Sequence, residues 1–93
     1  MALEHVAGKK AKGIIIYALS TCPWCRKAKN LLNELGVEYY FTDVDLAADK
    51  EKQALMDTVR KWNPACSFPT IVIDDKKCIV GFKEDEIREA VEQ

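Results

Sequence analysis

Ninety-three residues, 48% hydrophobic and 31% charged, allow one soluble-type domain with a single core and leave no room for a second substrate domain. A formal net charge of −1 gives no basic face for nucleic acid or for an anionic membrane surface. No apolar run approaches the ~18 residues of a membrane span, and Met1 to Gly13 has no apolar stretch of the kind a secretory signal needs, so the expected location is cytoplasmic.

Residues 1–12 read as a flexible N-terminal arm with a small basic cluster at Lys9, Lys10 and Lys12, and the folded domain is expected over 13–93. The run Ile14 to Leu19 is apolar throughout instead of alternating, which predicts a strand covered on both faces, at the centre of a sheet. Ser20-Thr21-Cys22-Pro23-Trp24-Cys25 follows, leading into a helical stripe of Cys25, Ala28, Leu31, Leu32 and Leu35 that Gly36 stops. Val37 to Asp45, rich in aromatic and β-branched residues, predicts a second strand and hence a right-handed parallel βαβ unit.

Asp45 is the expected cap of a second helix running to about Trp62, ended by Asn63-Pro64. Residues 65–67 form a loop before Phe68-Pro69. Thr70 to Ile73 and Lys77 to Val80 then bracket a turn and predict a hairpin. A loop at Asp75-Lys76 would set Ile73 opposite Cys78 and Ile71 opposite Val80. Both hairpin faces are apolar, so helices are expected above and below the sheet. Gly81-Phe82 turns into a last helix from about Glu84 to Glu92. The expected fold is therefore α/β, with a central four-stranded mixed sheet and three flanking helices in the order βαβαββα.

The chemistry concentrates at Cys22 and Cys25. Pro23 suits the first helical position, which makes Cys22 the N-cap. Its sulfur then faces the unpaired N–H groups and positive end of the helix, both of which favour the thiolate, the nucleophile of disulfide exchange. Cys25, three residues on, reaches the same sulfur and can resolve a mixed disulfide. A zinc site would need two more ligands, and only Cys66, Cys78 and His5 remain, at unsuitable spacing. An iron–sulfur cluster held by Cys22 in a dimer, with other ligands from a second chain or a small thiol, is the rival reading from a different class: a carrier module in place of an enzyme. Cys78, on an apolar strand, reads as a small core residue, and Cys66 as a loop thiol close to Pro69.

This order of elements, with Cys-Pro-Trp-Cys at the first βα turn, resembles the glutaredoxins of the thioredoxin-fold superfamily. The resemblance covers residues 13–92. It rests on Thr21 to Lys29 around the two cysteines, where the family more often has Tyr in place of Trp24. It rests also on Ser67-Phe68-Pro69-Thr70, similar to the family's Thr-Val-Pro, and on Val80-Gly81-Phe82-Lys83-Glu84, in place of Gly-Gly-Tyr/Phe-Thr/Ser-Asp. The resemblance implies a thiol–disulfide oxidoreductase in which Cys22 attacks and Cys25 resolves. Pro69 would be cis, the Phe68 main chain would pair with a disulfide substrate as an added strand, and Pro23, Trp24, Gly81, Phe82, Lys83 and Glu84 would complete the substrate surface. The implied protein is a monomer that needs no metal or other cofactor. Its substrates are disulfide-containing proteins or small-thiol disulfides, and its reductant is thioredoxin reductase or a low-molecular-weight thiol.

Overall fold

In the computed structural model, which describes residues 3–10 and 12–92, strands Glu4–Val6 (β1), Ile14–Ala18 (β2), Tyr39–Asp43 (β3), Thr70–Ile73 (β4) and Lys77–Val80 (β5) make one mixed sheet. Its spatial order is β1-β3-β2-β4-β5, with β2 parallel to β3 and every other pair antiparallel. Helices Pro23–Leu35 (α1), Asp49–Trp62 (α2) and Glu84–Glu92 (α3) cover it. Ile14, Ile16 and Ala18 of β2 meet Ala28, Leu31 and Leu32 of α1 and Ile87 and Ala90 of α3 in one core layer. Tyr17 and Val72 turn to the opposite face, against Leu55 and Val59 of α2. The unbroken apolar run of β2 is thus explained by helices on both faces. No helix among the described residues is long and apolar enough to cross a membrane.

The sheet has five strands instead of the expected four, because part of the expected arm at residues 1–12 is β1. Glu4, His5 and Val6 pair with Phe41, Tyr40 and Tyr39. Lys9 continues the attachment, donating its N–H to Gly36 O at 2.8 Å and accepting from the Glu38 N–H at 2.9 Å. Gly8 is required in this passage, since a Cβ there would come within 2.6 Å of the Val37 carbonyl carbon. His5 Nε2 lies 2.7 Å from Glu38 Oε2 across the same seam. What holds β1 is main-chain pairing to an otherwise open sheet edge, and such pairing asks little of side-chain composition. Met1, Ala2 and Ala11 of the expected arm, and Gln93 at the end of the expected domain, lie outside the described residues.

Two further expectations are corrected. Asp45 does not cap α2. Val44–Leu46 forms a separate 3-10 turn, Ala47 is extended, and Ala48 takes the N-cap position without a side-chain bond. Acidic residues Asp49 and Glu51 in the first turn and basic Arg60 and Lys61 in the last match the helix dipole instead. The hairpin register is one residue off the expected one: Ile73 faces Lys77, Val72 faces Cys78 and Ile71 faces Ile79. Asp74 and Asp75 both adopt left-handed backbone, at φ 54° and 53°, a conformation acidic and amide side chains tolerate better than most. The Asp74 carboxylate accepts the Gly13 N–H at 2.7 Å, and its own N–H donates to Gly13 O at 2.7 Å. That clamp to the start of β2 fixes the longer loop.

Candidate functional site

The register of the strands gathers three turns at one end of the sheet. Ala18 at the end of β2 lies beside Asp43 at the end of β3, Tyr17 pairs with Thr70 at the start of β4, and Thr70 pairs with Val80 at the end of β5. The segments 19–22, 66–69 and 81–83 therefore converge, and Cys22, Phe68 and Phe82 all rest on the same core layer.

Cys22 is the N-cap of α1 with extended backbone, φ −90° and ψ 115°, and Pro23 follows at the first helical position. The Cys22 sulfur accepts the Cys25 main-chain N–H at 3.2 Å, so one orphan donor of the helix start is aimed at it. Its own N–H donates to Leu19 O at 3.2 Å. Ser20, just before the motif, is anchored by Asp45, whose carboxylate accepts the Ser20 N–H at 2.8 Å and its hydroxyl at 2.6 Å. Those two bonds hold the Asp45 carboxyl below its ordinary value.

The two cysteines differ sharply in environment. Cys22 is half-buried, whereas Cys25 is 1% exposed, and both are free thiols. Burial first, then the hydrogen bond and charge of Cys22, push the Cys25 thiol from 9.0 up to about 12, against opposing effects of a Leu19 main-chain bond and the Lys29 charge. Cys25 is thus a neutral thiol at physiological pH. Because its unfolded value is near 9, the folded state retains this proton over a range where the unfolded chain loses it. The stability this confers is complete below about pH 9 and is lost as pH rises towards 12. Buried Tyr17 and Tyr39 are raised by desolvation and act in the same direction. Denaturant titrations at pH 8 and pH 10.5 should show a falling unfolding free energy, with a shallower fall in Cys25→Ala.

Trp24 projects outward, 55% exposed. Its ring stacks on Phe82 at 6.2 Å between centroids, and the Lys27 ammonium sits 4.6 Å over its face. Beside this pair an open groove of about 270 Å³ is lined by Lys27, Asn30, Leu31, Glu34, Phe82 and Glu84. The Phe68-Pro69 bond is cis, as the resemblance implies. Pro69 O accepts the Gly81 N–H at 2.8 Å, which ties the third turn to the second, and Gly81 has φ 83°. Lys83 and Glu84 are exposed but engaged along α3, Lys83 with Glu86 at 3.7 Å and Glu84 with Arg88 at 2.9 Å.

Every site residue expected from the sequence lies at this sheet end. Two contributors were not legible as such: Asp45, expected only as a helix cap, and Asn63, expected only as a helix terminator. The Asp45 partner stands 25 residues away, and the Asn63 partners, 4 and 7 residues on, lie across the loop between α2 and β4, where neither helical nor strand periodicity announces them. Cys66, at φ 55°, is half-buried against the α2-side core, and Cys78 is half-buried on β5, where desolvation raises its thiol. Among the described residues no group of three or more His, Cys, Asp or Glu side chains comes together as a metal site.

Residues 14–79 match the family model described as Glutaredoxin. The chain is 36% identical over 80 residues to a glutaredoxin-like 8.6 kDa protein in the rubredoxin operon of Clostridium pasteurianum, an alignment covering 86% of this chain and 99% of that one. Among solved structures, the methanoredoxin of Methanosarcina acetivorans is 48% identical and superposes with a TM-score of 0.88, covering 90% of this chain and 88% of that one. The glutaredoxin of Methanosarcina mazei Go1 is also 48% identical, with a TM-score of 0.89 over 96% of this chain and 86% of that one.

Proposed function

The chain belongs to the glutaredoxin family and has its thiol–disulfide oxidoreductase type of function, and from that premise we propose that it reduces protein or small-thiol disulfides by a dithiol cycle of Cys22 and Cys25. One observation carries the assignment of roles: the Cys22 sulfur caps α1 and accepts the Cys25 N–H at 3.2 Å, while the Cys25 thiol is buried and held protonated. Cys22 is the attacking thiolate. Its sulfur bonds to one sulfur of the substrate disulfide, the substrate S–S bond breaks, and the released thiolate takes a proton from solvent.

Two influences that keep Cys25 protonated, the hydrogen bond and the charge of Cys22, vanish once Cys22 is tied up in the mixed disulfide. Cys25 then gives up its proton and attacks the Cys22 sulfur. A Cys22–Cys25 disulfide forms, the second substrate thiol leaves, and the substrate has gained two electrons and two protons. No further cofactor takes part. The substrate lies against Trp24, Phe82 and the Phe68 main chain, which offers strand-like pairing.

The electrons return from thioredoxin reductase or a low-molecular-weight thiol other than glutathione. In the family pattern a short hydroxyl and an aspartate follow the Gly-aromatic turn; here Lys83 and Glu84 stand there, each paired with a side chain of α3. The cytoplasm, where such reductants circulate, is the proposed site of action. Incubating the reduced protein with a peptide disulfide and following thiol release by mass spectrometry tests the function. A transient peptide–Cys22 adduct followed by a Cys22–Cys25 disulfide is expected. A brown sample with visible absorbance and no thiol release would favour the cluster-carrier role instead.

A further inference from the structure

Asn63 is 3% exposed, a deep burial for a carboxamide, and every polar atom of its side chain is used. The two Nδ2 protons are shared among Ser67 O at 3.1 Å, Ser67 Oγ at 3.0 Å and Thr70 Oγ1 at 3.1 Å, and Oδ1 accepts the Ala65 N–H at 3.2 Å. The Thr70 hydroxyl in turn donates to Ser67 O at 2.8 Å. The Asn63 main chain completes the hub: its N–H donates to Val59 O at 2.7 Å in α2, and its O accepts the Cys66 N–H at 2.8 Å. This ring grips residues 67 and 70 and leaves Phe68 and Pro69 bracketed between two fixed points. Among the described residues the Phe68 main chain takes no hydrogen-bond partner. Thr70 is also paired with Tyr17, five residues before the Cys22 cap.

We propose that Asn63 is a positioning residue for disulfide substrates, holding Ser67 and Thr70 so that the unpaired Phe68 main chain stands ready beside Cys22. The proposal rests on the reading above that substrates pair with Phe68. Asn63 touches neither the substrate nor the reacting sulfurs. Its contribution is preorganisation: a loop hinged at 63–67 would have to be ordered by each incoming peptide, and that ordering would be deducted from binding. A buried carboxamide is suited to this, because its donors and acceptor fix three separate chain positions, and removing it strands partners that are costly to leave unpaired.

The test uses a cysteine-containing peptide disulfide and two versions of it, each N-methylated at one of the amides flanking the cysteine. With the wild type, methylation at the pairing amide should raise KM. Asn63→Ala should raise KM for the unmodified peptide roughly tenfold with little change in kcat, and methylation should then add much less. Thr70→Val should behave like Asn63→Ala, and Thr70→Ser, which keeps the hydroxyl, should stay close to wild type. Alkylation of Cys22 by iodoacetamide, which needs no strand pairing, should keep its wild-type rate and pH profile in all three variants.

Unchanged KM in Asn63→Ala and Thr70→Val, with methylation still harmful to the wild type, overturns the proposal and leaves the Phe68 pairing intact. Methylation without effect on the wild type removes the pairing itself. Parallel losses in alkylation and turnover would make Asn63 a general stabiliser and also overturn the proposal. If Asn63→Ala does not fold, the Thr70 pair decides the matter alone.

Discussion

Cys22→Ser should lower the rate of disulfide reduction by at least ~10³-fold, as loss of a nucleophile does, whereas Cys25→Ser should stay within about tenfold of wild type on mixed disulfides of small thiols. The asymmetry follows from the helix start. Only the Cys22 sulfur receives the cap position and a main-chain N–H, at 3.2 Å. Cys25 is buried, and in the proposed cycle it acts only on a sulfur already bonded to Cys22, a step that an external thiol can perform when the leaving group is small. Bulky protein disulfides, which shield the mixed disulfide from solution thiols, should therefore suffer more from Cys25→Ser than small ones. Steady-state rates for both substrate classes, with an excess of a simple alkyl thiol, provide the measurement. Equal loss in the two variants would refute the assignment of roles.

The second large effect concerns the reductant. Glutathione should support turnover poorly beside thioredoxin reductase or a simple alkyl thiol, because the turn after Gly81 and Phe82 offers a long cation at Lys83 where the family pattern has a short hydroxyl. Each polar group left unpaired in a bound ligand costs ~1–3 kcal/mol, roughly 5- to 150-fold in affinity. Lys83 and Glu84 are in addition held by Glu86 and Arg88 at 3.7 and 2.9 Å, although such exposed pairs are weak and would yield to a well-fitted ligand. Turnover with glutathione and its reductase, compared with the other two systems, gives the answer, and Lys83→Ser should improve glutathione use by about fivefold or more. Saturable turnover at low glutathione concentration in the wild type would refute this reading.

Much of the molecule was legible locally. The apolar run Ile14 to Leu19 gave a strand buried on both faces, and Cys22-Pro23 gave the cap and first residue of α1 because proline's fixed φ and missing N–H suit that position alone within a helix. Gly36 gave its end, at φ 69°. These are properties of single residues and their immediate neighbours, and they carry over from chain to structure unchanged. With them came the position of Cys22 and Cys25 at the start of α1 and the α/β class of the fold.

What the sequence left open depended on partners in other elements of the fold. The strand β1 exists because the edge of β3 offers main-chain groups to any segment that reaches it, which the composition of residues 4–6 does not reveal. The carboxylate of Asp45 had two possible uses, a helix cap or an anchor for Ser20, and only the approach of β2 to the end of β3 decided for Ser20. The hairpin register turned on left-handed Asp74 and its clamp to Gly13 across the sheet. Asn63 was an ordinary terminator until α2 met the start of β4 and closed a buried ring around it. The sequence determined that both thiols stand at one helix start, since that follows from neighbouring residues; the tertiary structure decided what holds them in position, since hydrogen bonds between separate segments form only once the sheet has brought those segments together.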